Sequence, residues 1–156
     1  MKEEKFFLTN DTIMVSFQYE REVKMKLITR DTDYALRAVC FIAGHNKKLV
    51  SAAQLVKELN IPRPFSRKIL QVLNKKGILR SYKGAGGGFL LAKPADKIFL
   101  ADMIGIFQGP LRINECFLKK MVCPNIKTCA LRKRINSIEK HVLSQLESIT
   151  ISSLLR

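Results

Sequence analysis

The chain is short of acidic side chains, holds only two histidines and contains no long apolar run. Its 156 residues carry 13 Asp and Glu against 28 Lys and Arg, a formal net charge of +15. So high a charge opposes compaction by self-repulsion, and a polyanionic partner is the natural explanation. Nucleic acid leads that reading and an anionic membrane surface comes second. No stretch approaches the roughly 20 apolar residues that span a bilayer, so no membrane partner is expected. Residues 1–10 include Glu3 and Glu4 and lack the apolar core of a secretion signal. The expected compartment is therefore the cytoplasm. Thiols stay reduced there, and clustered cysteines bind metal more often than they pair. Neither His45 nor His141 lies in the cysteine-bearing segment, so the thiols there lack the commonest acid–base partner and no enzyme is expected. Internal repeats are absent as well.

The charge is unevenly spread. Residues 1–24 carry four basic and five acidic side chains, so the whole positive excess lies beyond them. This stretch is expected to be an N-terminal extension of unassigned role, with a short strand at Ile13–Tyr19. Met14 and Met25 are alternative starts, and the core is expected to begin at Met25. Between Lys57 and Lys97, ten basic residues face two acidic ones.

Hydrophobic periodicity and punctuation lay out the rest. Asp31 or Thr32 is expected to cap a helix running to about His45, with Tyr34, Ala35, Ala38, Val39 and Ile42 on its apolar stripe. Ser51 is the expected cap of a short helix over Ala52–Leu59, which Asn60-Ile61-Pro62 breaks. A third helix starts at Arg63–Pro64, where proline is tolerated in the first turn. It stops at Gly77. Phe65, Ile69, Leu70 and Leu73 face the core, which leaves Arg63, Ser66, Arg67 and Lys68 outside. Ile78–Tyr82 and Phe89–Ala92 read as strands of a hairpin around Lys83-Gly84-Ala85-Gly86-Gly87-Gly88. A further helix spans Leu100–Gln108 and ends at Gly109-Pro110. The last runs from about Ala130 to Ser148. On it Leu131, Ile135, Ile138, Val142, Leu146 and Ile149 form a narrow seam of the kind found between paired helices.

The order of helix, helix, turn, helix and glycine-tipped hairpin is that of a winged helix-turn-helix. The fold class is mainly α with a small β-hairpin wing, plus a long C-terminal helix. Domain limits are placed at 25–109 for the DNA-binding unit, 110–129 for a cysteine-containing loop and 130–156 for a dimerisation helix and tail. A helix in the major groove offers Arg63, Ser66, Arg67 and Lys68 to base edges and phosphates. Lys83 reaches the backbone from the wing, and Gly84, Gly86 and Gly87 permit close approach. The glycine loop has neither the Lys-Ser/Thr pair of a nucleotide-binding P-loop nor a surrounding βαβ unit. Two-fold pairing through the C-terminal helix would let the dimer read two half-sites of double-stranded DNA.

Cys116, Cys123 and Cys129 make up a C-x6-C-x5-C array among Lys119, Lys120, Lys127, Arg132, Lys133 and Arg134. Thiolates suit iron–sulfur clusters or zinc, and nearby positive charge favours the thiolate form. The short C-x2–4-C pairs usual for zinc are missing. From the residues alone, cluster, zinc and unligated thiols stay open. Cys40, between Val39 and Phe41, reads as a small core residue.

The chain from Met25 onward resembles the IscR/NsrR family of bacterial regulators. The likeness lies in Met25–Arg37, in Ile61-Pro62-Arg63-Pro64-Phe65 with Lys68-Ile69-Leu70-Gln71, in Lys83–Phe89 and in the tail Ser148–Leu155. The resemblance implies a dimeric winged-helix transcription factor holding a 2Fe–2S or 4Fe–4S cluster through Cys116, Cys123 and Cys129. Some relatives take the fourth ligand from a His three residues after the third cysteine, where this chain has Arg132. Others take a carboxylate on the first helix of the partner subunit. Asp33 matches that position and Asp31 is the second choice, while capping and helix-dipole stabilisation are the structural readings of both. The function implied is a repressor whose DNA affinity follows a cluster that senses redox state, nitric oxide or iron–sulfur status. The competing function is a cluster-free regulator using the same cysteines as thiol or zinc sites.

Overall fold

The computed structural model describes residues 26–45, 48–113 and 127–155. The expected strand at Ile13–Tyr19, the extension 1–24, Cys116 and Cys123 lie outside them. Five helices and one antiparallel hairpin follow in the order α1 (Arg30–Gly44), α2 (Ala52–Leu59), α3 (Arg63–Lys75), β1 (Leu79–Tyr82), β2 (Gly88–Leu91), α4 (Leu100–Gln108) and α5 (Ala130–Ser148). Single 3-10 turns occupy Ala95–Lys97 and Ser152–Leu154.

Local chemistry accounts for most boundaries. Ser51 caps α2 through a full capping box: its hydroxyl accepts from the Gln54 N–H, and the Gln54 side chain accepts from the Ser51 N–H. Asn60 then enters the left-handed region at φ 52° and turns the chain out of α2. Pro64 sits in the first turn of α3, where no amide donor is needed. Helix α1 departs from expectation. It begins at Arg30 with Thr29 in the cap position, which puts Asp31, Thr32 and Asp33 inside the first turn. Thr32 is fully buried rather than capping, because its hydroxyl bonds to a side chain far along the sequence, Gln108.

One main core joins these pieces. Val39 and Ile42 of α1, Leu55 of α2, Ile69, Leu70 and Leu73 of α3, Leu79 of β1 and Met103 of α4 are all nearly inaccessible to solvent. Two strand-like bridges tie distant segments into it. Val50, ahead of α2, exchanges both backbone hydrogen bonds with Phe89 of β2, at 3.1 and 2.9 Å. The hairpin is thereby fixed to the start of the helix-turn-helix. Phe99 and Thr150 form the second bridge, flanked by Leu100 N–H to Ile149 C=O at 2.9 Å and Ile151 N–H to Ile98 C=O at 2.8 Å. Ile151, past the end of α5, is wholly buried in the core that α1 and α3 share.

Helix α5 is bound mainly at its C-terminal end. Leu146 packs with Leu100 and Ile104 of α4, and Val142 and Ile149 border that cluster. Leu131 and Ile138 of the same seam are 67% and 52% exposed. Among the described residues, no helix is long and apolar enough to cross a membrane.

Candidate nucleic-acid interface and cysteine site

The apolar side of α3 faces the core, and its opposite side is polar and basic. Arg63, Arg67, Gln71 and Lys75 follow one another at four-residue steps on the exposed side, with Lys68 and Asn74 beside them. Gln71 is the residue sequence reasoning passed over. The four-residue spacing from Arg67 could have singled it out, and its amide is suited to reading adenine in the major groove. Ser66 is a correction. The sequence placed it on the free face, but it is only 4% exposed and its hydroxyl donates to the Ile61 carbonyl at 3.5 Å. Its hydroxyl is engaged at the turn between α2 and α3 and is not on the exposed face. Lys68 is exposed but has an internal partner, the Asp31 carboxylate at 3.7 Å.

The hairpin stands next to α3. In β1 Arg80, Ser81 and Tyr82 are all exposed, and Lys83 opens the tip. The four glycines divide their work. Gly84 and Gly86 take φ of +104° and +79°, which side-chain-bearing residues rarely adopt. Gly87 and Gly88 answer to crowding within the chain. A Cβ at Gly87 would fall 2.3 Å from the Tyr82 carbonyl oxygen, and one at Gly88 would fall 2.7 Å from that of Val50. Close approach at these two therefore serves the hairpin's own closure and its bridge to Val50. Lys83, Gly84 and Gly86 remain at the exposed tip.

Cys129 is the one cysteine of the array among the described residues. It sits in the cap position of α5, half-buried, and its Sγ accepts from the Arg132 N–H at 3.4 Å. Asp33 stands in the first turn of α1, solvent-accessible and paired with Arg37 at 2.9 Å. Asp31 pairs with Lys68 as noted. Among the described residues no three His, Cys, Asp or Glu side chains converge as metal ligands. Cys40 is the contrasting thiol, with burial raising its pKa and keeping it protonated.

Residues 28–156 match the Rrf2 family model, described as an iron-dependent transcriptional regulator. The chain belongs to the Rrf2 family. A helix-turn-helix-type transcriptional regulator of Aquifex aeolicus is 32% identical over 124 residues, covering 78% of this chain and 86% of that one. Protein aau3 of Rhizobium meliloti is 27% identical over 83% of this chain and 84% of its own length. Among solved structures, CymR, the global cysteine regulator of B. subtilis, superposes with a TM-score of 0.69 at 23% identity, over 83% of this chain and 96% of that one. IscR of T. potens gives 0.66 at 22%, over 84% and 86%. These Rrf2 neighbours have the winged-helix fold expected here. The chain is thus a winged-helix transcriptional regulator of the DNA-binding type.

Proposed function

We propose that this Rrf2 protein is a cytoplasmic homodimeric repressor whose affinity for its DNA operator follows the state of an iron–sulfur cluster held at the cysteine segment. The observation that carries DNA recognition is the exposed ridge Arg63–Arg67–Gln71–Lys75 beside a hairpin presenting Arg80 and Lys83. Arg67 and Gln71 read base edges. Arg63, Lys68, Lys75 and Lys83 neutralise phosphates and release counterions. The Val50–Phe89 bridge holds the wing in register with the ridge, so helix and wing address one duplex together.

Cys129, Cys116 and Cys123 would hold the cluster, with Asp33 of a second copy as the fourth ligand. Cys129 fits that role, because it is only half-buried and stands at the N-terminal cap of α5. Asp33 fits too, because its carboxylate is surface-held by a single exposed ion pair worth about 0–1 kcal/mol, a weak competitor. When bound, the cluster supplies a tether that responds to oxidants and small ligands. The chain's own residues do the rest. The exposed Leu131 and Ile138 of α5 pack against a second copy, and α5 carries Cys129 at one end while Ile151 roots the other in the DNA-binding core.

One experiment separates this from its competitor. Protein purified without oxygen is assayed for iron, sulfide and visible absorbance, then tested for binding to DNA selected from a random pool. Bound iron with a matching amount of sulfide, lost in Cys129→Ala, and a DNA affinity that changes on oxidation are expected. A colourless protein whose DNA binding responds to thiol oxidants would establish the cluster-free reading instead. That second reading has its own support, since S. aureus CymR, a further structural neighbour at TM-score 0.65 and 23% identity, has been solved in an oxidized form.

A further inference from the structure

Gln108, the last residue of α4, has its whole amide engaged with the segment that leads into α1. Its Oε1 accepts from the Thr29 N–H at 2.8 Å and from the Thr32 hydroxyl at 2.7 Å, and its Nε2 donates to the Leu27 carbonyl at 3.2 Å. The single Thr32 proton is thereby used, so the Thr29 hydroxyl donates to the Thr32 oxygen at 3.1 Å. The amide has one permitted orientation. Turning it over would set donor against the Thr29 N–H and acceptor against the Leu27 carbonyl.

Gln108 has neighbours of consequence on both sides. Just after it the chain turns at Gly109, φ +81°, and is fastened to α5. The Ile113 N–H donates to Glu139 Oε2 at 3.0 Å, and Arg112 pairs with the same carboxylate at 3.3 Å. The cysteine-bearing segment begins there. In the other direction, the first two turns of α1 touch the first two turns of α3. Tyr34 meets Phe65 edge-on with ring centroids 5.9 Å apart, and Asp31 lies 3.7 Å from Lys68. The candidate ridge starts at that end of α3.

We propose that Gln108 is a positioning residue that carries displacement of residues 109–113, which lead into the cysteine-bearing segment, through the first turn of α1, to the DNA-facing end of α3. The proposal rests on the reading that the state of that segment sets DNA affinity. An amide suits the task. Each of its hydrogen bonds exchanges against water for only about 0.5–1.5 kcal/mol net, so the joint can open and close where an apolar contact would stay shut. Coupling of this kind needs an element with two arrangements that both sites bias, and the first turn of α1 is placed to be that element.

The test uses the full chain, purified without oxygen, as wild type, Q108A, T32V and the double variant, with DNA selected by the wild type. DNA affinity is measured by fluorescence anisotropy for iron-loaded and iron-free protein. In Q108A, iron content and oligomeric mass are expected to match wild type, while the ratio of the two affinities falls about fivefold or more towards unity. The double variant is expected to be no worse than Q108A, because the two changes remove one shared hydrogen bond. The slope of log affinity against log salt is expected to stay at the wild-type value, whereas Lys83→Ala lowers it by about one. A ratio unchanged in Q108A overturns the proposal. Wild-type protein that binds DNA equally with and without iron overturns the cluster reading instead. In that event amide hydrogen exchange decides. Faster exchange in Q108A at both residues 29–33 and residues 63–68 supports the joint, and acceleration at 29–33 alone, or at neither, overturns it. If Q108A fails to fold, Q108E, which keeps the oxygen that accepts from Thr29 and Thr32 but sets a charged acceptor against the Leu27 carbonyl, is read by the same criteria.

Discussion

Helices α3 and α5 are both amphipathic, yet among the described residues only α3 has its apolar side covered. Ile69, Leu70 and Leu73 are sealed by α1, α2 and the hairpin, which leaves α3 a polar, basic outer side and no further need for apolar contact. On α5 the seam runs the length of the helix, but only Leu146 is buried, and Leu131 and Ile138 stand in solvent. One helix is complete and presents charge to a foreign polymer. The other leaves part of its seam exposed among the described residues, and that part is where the proposed second copy would pack. On the proposed function, recognition and assembly would thus be separated by how much of each helix the described residues cover.

Four measurements can break or sharpen that contrast. The largest effect is expected from Leu70→Ala. Truncating a fully packed side chain of α3 should cost about 2–5 kcal/mol of unfolding free energy, read by urea denaturation. Ile138→Asp comes next. The change enters the proposed pair interface twice, so dimer affinity should fall about a hundredfold or more in sedimentation equilibrium, while the urea midpoint of the DNA-binding unit stays near wild type. An equal loss of fold stability would mean that α5 is covered by its own chain after all. Arg67→Ala should weaken binding to selected DNA by about 1–3 kcal/mol and relax sequence preference, with little change in stability. The smallest effect concerns the two contrasting thiols. Cys40, held protonated by burial, should alkylate more slowly at neutral pH than Cys129, and the difference should vanish on unfolding. The sign for stability follows. A thiol pKa raised in the folded chain favours folding below the ordinary thiol range, and that contribution is lost as pH climbs through the raised value.

What could be foreseen follows the range of the forces involved. Ser51 and Gln54 are three residues apart, so the capping box of α2 was legible and its limits Ala52–Leu59 matched. The limits of α4 and α5 matched for similarly local reasons. The start of α1 did not. Thr32 has the chemistry of a cap, but Gln108 claims its hydroxyl and the cap passes to Thr29. Ser66 looked exposed by residue type, and only the turn geometry around Ile61 reveals its burial. The hairpin glycines were expected to permit positive φ, which Gly84 and Gly86 adopt, and close approach to another surface; the surface approached at Gly88 is Val50 of the same chain. For the cysteine site, the sequence supplied the ligand types and the resemblance supplied their roles. The structure adds the capping geometry of Cys129 and the ion pair of Asp33.

The burial of Ile151 has a consequence for how the protein is made. Ala35, Val39 and Ile42 emerge early in synthesis, yet the cluster they belong to also contains Ile151. At about 5–20 residues per second, the first turns of α1 wait on the order of ten seconds before that last partner exists. During that interval a nascent chain has its basic helix exposed to the nucleic acid around it and its core open on one side. A shortened chain that stops before the Phe99–Thr150 bridge should therefore stay a client of chaperones and proteases and not become a smaller regulator.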